Sequence, residues 1–127
     1  MFGFFKERGI VDQRGIVEQH IEELSSFSVG KRRKATNELA SLSCKSSFHS
    51  EMIKLESISR LLHLVSKDRD NNVREYALNA LKNLTIYGNV MTKSALVEAG
   101  AISQCVHTLL DSSYWPLTTP QHKIRQD

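Results

Sequence analysis

Apolar residues recur in the same order at intervals of 42–44 residues, and this repetition limits the fold more than any other feature of the chain. Leu96-Val97-Glu98-Ala99-Gly100-Ala101-Ile102 lies 44 residues after Met52-Ile53-Lys54-Leu55-Glu56-Ser57-Ile58, and Cys105, Val106 and Leu109 then keep step with Leu61, Leu62 and Val65. The same frame appears once more upstream, where Gly15-Ile16-Val17 precedes Ile21 and Leu24; Gly15 and Gly100 are 85 residues apart, two units of about 42. A second element repeats with it. Ala35, Leu39 and Leu42 precede Ala77, Leu81 and Leu84 by 42 residues. The 4-then-3 spacing places each trio on one helix stripe. Alanine at the first position lets a neighbouring helix approach closely. A period in the forties is that of stacked helical repeats, in which no unit buries its stripe alone and each packs on the next.

Local signals agree with an all-α chain. Helix formers dominate the 127 residues, Pro and Gly number only 2 and 6, and alternating β-branched runs are absent. Asp70-Asn71-Asn72 offers N-cap oxygens, with Glu75 three residues after Asn72 in a near capping-box arrangement; Gly88 stops that helix and Asn89 caps the next. These signals predict helices near 15–27, 31–44, 48–55, 57–67, 72–87, 90–98 and 100–111.

From Glu56 to Leu110 the chain resembles an armadillo repeat. Ile58-Ser59-Arg60-Leu61-Leu62 looks like the start of the family's second helix, Ala77-Leu78-Asn79-Ala80-Leu81-Lys82-Asn83-Leu84-Thr85 like its third, and Val97-Glu98-Ala99-Gly100-Ala101-Ile102 like its inter-repeat turn. The resemblance is weaker over 10–44 and stops after Leu110. HEAT repeats are the nearest rival, because Asp68 through Ala77 also fits their Asp…Val-Arg-x-x-Ala pattern. Both imply a right-handed α-solenoid, here of about two and a half repeats. The family further implies a concave groove, lined by third helices, that holds extended peptides. Its peptide-binding members carry a Trp and, four residues on, an Asn. Here the Asn position is Asn83 but the Trp position is Asn79, and one repeat earlier the two positions hold Ser41 and Asn37. That departure argues against a nuclear-import receptor. It leaves a polar face of Asn37, Ser41, Lys45, Asn79, Asn83 and Tyr87, whose amides can hydrogen-bond a peptide backbone or simply face water.

Other candidates are less specific. Lys31-Arg32-Arg33-Lys34 reads either as a docking patch for an anionic partner (nucleic acid or a nuclear-targeting receptor) or as a solvated helix start. Cations are unfavourable at a helix N-terminus. The net charge of +3 is small for a nucleic-acid binder. His63 and His107 are repeat-equivalent, hence about one helix-packing step of ~10 Å apart, too far to share a zinc at ~2 Å. With no Cys-x-x-Cys, glycine-rich phosphate loop, Gly-x-Ser-x-Gly or His-Glu-x-x-His, no metal, cofactor or catalytic residue is expected. Cys44 and Cys105 read as structural thiols of a reduced, cytoplasmic or nuclear setting. No window is apolar enough for a membrane span.

The expected domain plan is an N-terminal cap over 1–9, where Phe2, Phe4 and Phe5 cover an end or touch a partner, a repeat domain over 10–111, and an irregular, partly disordered tail over 112–127. Pro116 and Pro120 break the third unit before its last helix. Ile102, Val106 and Leu109 are then left as an exposed end, for a partner helix, for self-association, or for a lid from Trp115 and Leu117. The expected function is a non-enzymatic scaffold or adaptor that binds a protein or peptide.

Overall fold

The structure is a computed structural model and describes residues 13–110. Within that range it contains seven α-helices, one short 3-10 turn at Ser46–Phe48, and no strand. The helices are α1 (Gln13–Glu23), α2 (Val29–Leu42), α3 (His49–Lys54), α4 (Ser57–Lys67), α5 (Asn71–Tyr87), α6 (Val90–Glu98) and α7 (Ala101–Leu110). The described residues form helices and no strand, as the spacing predicts. The expected segments 1–9 and 112–127, with Phe2, Phe4, Phe5, Trp115 and Leu117, lie outside the described residues.

Side-chain caps set the starts of α2, α5 and α6. Asn89 accepts a hydrogen bond from the Thr92 backbone N–H at 3.0 Å, and Asp70 accepts one from Val73 N–H at 2.9 Å. Because Asp70 rather than Asn72 is the cap, Val73 occupies the third helical position and Glu75 forms no capping box. The predicted helix over 15–27 ends early, at Glu23. Arg32 Nη1 donates to the carbonyls of Ser26 at 2.8 Å and Phe27 at 3.2 Å, which satisfies those groups outside a helix, and Ser28 then caps α2. A Cβ on Gly88 would lie 2.3 Å from the Leu84 carbonyl oxygen and 2.6 Å from Thr92, so only glycine fits between α5 and α6.

The backbone repeats as well as the sequence. Glu56 and Gly100, 44 residues apart, both take the left-handed conformation, with φ of 61° and 72°. Each turns the chain from a short first helix (α3, α6) into a second (α4, α7). Glycine adopts this conformation freely, whereas a side chain at Glu56 does so at a cost of order 1 kcal/mol.

Packing follows the same order. Equivalent helices of successive units touch: α2 against α5, the most extensive contact, α4 against α7, and α3 against α6. Ala35 and Ala77 are fully buried, as the close-approach reading requires. They share a continuous core with Leu39, Leu61, Val65, Val73 and Leu84. Two side-chain amides tie one unit to the next. Asn83 Nδ2 donates to the Ala40 carbonyl at 2.9 Å, and Gln104 Nε2 donates to the Leu62 carbonyl at 2.9 Å and bonds Ser66 Oγ. His49 adds a buried link: Nε2 lies 2.7 Å from the Ser43 carbonyl, which can only accept, so Nε2 carries a proton, and Nδ1 lies 3.3 Å from Thr92 Oγ1 of the following unit.

Candidate functional site

An apolar groove of about 470 Å³ lies where α5, α6 and α7 meet. Leu78 and Leu81 of α5, Leu96 and Val97 of α6, and Ile102 and Val106 of α7 line it. Its shape comes from the repeat. The equivalent trough one unit earlier, between α2, α3 and α4, is filled by α5, whereas no described helix fills this one. Register-matched residues give the contrast in numbers. Ile58 is 5% exposed and its equivalent Ile102 is 67%; Leu62 is 4% exposed and its equivalent Val106 is 50%. The backbone of Leu109 belongs to α7, but its side chain lies outside the described residues.

The polar face expected of the third helices is distributed differently from the sequence pattern alone. Asn37, Ser41 and Lys45 are exposed, Tyr87 is half exposed, and Asn79 and Asn83 are partly buried. Asn83, the position that resembles the ladder asparagine, holds α5 to α2 through its bond to the Ala40 carbonyl.

The basic run is partly neutralised. Arg32 meets Asp68 through Nε–Oδ2 at 2.8 Å and Nη2–Oδ1 at 3.4 Å. Arg33 meets Asp70 through Nε–Oδ2 at 3.1 Å and Nη2–Oδ1 at 2.8 Å. Both pairs join α2 to the turn before α5, so the carboxylates of one unit offset the cations crowded at the helix start of the other. Lys31 and Lys34 remain on the surface. The signal in the sequence was the pair Asp68 and Asp70, 36 and 37 residues after the arginines, just short of one repeat.

The Arg33 hydrogen bond holds the Asp70 carboxyl below its ordinary range, with a smaller contribution from the Val73 N–H, while burial works against both; the Arg33 guanidinium is raised by the same bond. A carboxylate depressed on folding stabilises the protein above its unfolded pKa of about 4, and that stabilisation is lost as pH falls through the folded value. Arg33→Ala is therefore expected to flatten the decline of the urea midpoint between about pH 5 and pH 2. An acid profile unchanged from wild type would show that the pair does not carry this dependence.

No protein-family model, curated protein or solved structure matches the chain. Its reading therefore rests on its own geometry. Among the described residues no three His, Cys, Asp or Glu side chains converge as a metal set, and no helix is long and apolar enough to cross a membrane. Burial raises the pKa of the Cys105 thiol beside the groove, which keeps it protonated and a poor nucleophile. The groove is the site with the most distinctive chemistry, and that chemistry is apolar contact.

Proposed function

We propose that this chain is an armadillo-like α-solenoid that acts as a non-enzymatic protein-interaction module. One observation carries the proposal: a stripe buried in one unit is open to solvent in the next, in the same register and with an isoleucine at both Ile58 and Ile102. An exposed apolar groove of this kind marks a docking surface on a soluble protein. The 44-residue period, the repeated left-handed turns and the like-on-like helix contacts support the solenoid part of the reading. The third-helix face at Asn37, Ser41, Lys45, Asn79 and Tyr87 offers polar groups for an additional peptide contact. A nucleic-acid role for residues 31–34 is the weaker reading, because two of its four cations already face carboxylates.

The test compares partners recovered on the wild-type chain with those recovered on Val106→Asp, identified by mass spectrometry. Val106 is half exposed, so the variant is expected to retain its helical content and melting temperature within a few degrees. Partners that depend on the groove should disappear from the variant. Recovery of the same partners on both chains would remove the groove from the function. Recovery that instead collapses between about 50 and 200 mM salt would favour phosphate binding by the basic run.

A further inference from the structure

The groove at α5–α7 also carries information about its occupant. We infer that it takes an amphipathic helix from another protein, with a small residue at the point of closest approach and acidic residues beside its apolar stripe; this deepens the interaction reading above and rests on it. The length and stripe come from the chain itself. The equivalent trough is filled by α5, a helix of 17 residues that buries Ala77, Leu81 and Leu84. A trough built from the same register accepts the same kind of side-chain row.

The charge comes from where the two troughs differ. Lys82 and Lys93 line the open groove. Their equivalents one unit earlier, 42 and 44 residues before them, are Ala40, whose carbonyl meets Asn83 of α5, and His49, whose ring meets Thr92 of α6; both are buried. None of the described lining residues is acidic. An entering helix that presented neutral or basic groups there would leave both ammonium groups desolvated without a partner, which is unfavourable; carboxylates complete them.

The same lysines disfavour the other occupants. A symmetric pair of copies would bring four ammonium groups together across an apolar contact. Nor has a second copy a described helix to insert, since the stripes of α2, α4 and α5 are already buried in their own core. The chain's own residues 111–127 carry Pro116 and Pro120 within the span a covering helix needs.

Two synthetic 17-residue helical peptides separate these possibilities. Both carry the Ala-x-x-x-Leu-x-x-Leu stripe; the flanking positions are Glu in one and Lys in the other. Fluorescence anisotropy measures their binding to the full chain, to Val106→Asp, to Lys82→Glu/Lys93→Glu, and to Lys31→Glu/Lys34→Glu as a control of equal charge change away from the groove. The acidic peptide is expected to bind wild type and to lose binding on Val106→Asp. The rim double variant should weaken it about fivefold or more and favour the basic peptide, while the control changes it less than twofold. Equal weakening by both double variants would reduce the effect to net charge and overturn the inference. Binding of both peptides alike, still abolished by Val106→Asp, would also overturn it while leaving the groove as a docking site. Failure of both peptides to bind would count against the groove itself, with concentration-dependent mass in sedimentation assigning it to a second copy and a constant monomer mass assigning it to residues 111–127.

Discussion

Ile58→Ala is expected to destabilise the protein by about 3 kcal/mol, whereas Ile102→Ala should cost no more than about 0.5 kcal/mol. The two isoleucines have the same chemistry, the same place after a left-handed turn and the same helix type. They differ in what lies over them. Ile58 is buried in the core that α5 helps to close over α4, so truncation there loses transfer free energy and leaves a cavity that close-packed neighbours cannot fill. Ile102 is open to water, and alanine there gains a few tenths of a kcal/mol in helix propensity, which offsets most of the small decrease in apolar burial. Urea unfolding of the two variants at neutral pH measures the difference. Equal losses would mean that residues beyond Leu110 cover Ile102 in solution. With a bound partner the gap should narrow, because Ile102 then joins an interior.

The second large effect is expected at Arg32. Arg32→Ala should lower stability by about 3 kcal/mol, and the neighbouring, exposed Arg33→Ala by much less at neutral pH. Arg32 faces a carboxylate whose side chain is 4% exposed, and the same guanidinium closes the α1–α2 turn through the Ser26 and Phe27 carbonyls. Its removal strands a nearly buried charge and the part-buried Ser26 carbonyl at once, while water can take its place at the exposed Phe27 carbonyl. Asp68 retains the Asp70 backbone N–H at 2.9 Å, which limits the loss. Arg33 and Asp70 are more exposed, so water replaces their contact. A double-mutant cycle with Asp68→Asn isolates the pair. A coupling energy near zero would show that Arg32 acts through the turn carbonyls rather than through Asp68.

Much of this is legible in the sequence. The helices 57–67 and 90–98 are predicted and observed with the same bounds: the first carries an apolar stripe of period 3.6, the second is bracketed by Asn89 and Gly100, and both are local signals. The burial of Ala35 and Ala77 follows from their place at the head of repeated stripes, and the openness of Ile102 and Val106 from the lack of a following third helix in the pattern. The early end of α1 was not legible. It depends on Arg32, whose side chain reaches back to carbonyls five and six residues away.

Periodicity by itself thus determined that this protein is a run of helices in repeating units, and which stripes must be covered. Tertiary structure alone decided how the units are joined. Asp70 reads only as a helix cap until α2 is laid beside α5, where Asp68 and Asp70 meet Arg32 and Arg33. Nothing in the local sequence joins His49 to the Ser43 carbonyl and Thr92, or Lys82 to Lys93 across a groove, until the helices pack. Hydrophobic patterning is a property of one helix and its period, whereas a hydrogen bond or an ion pair needs two groups within about 3 Å, and residues some 40 positions apart reach that distance only when the stack has formed.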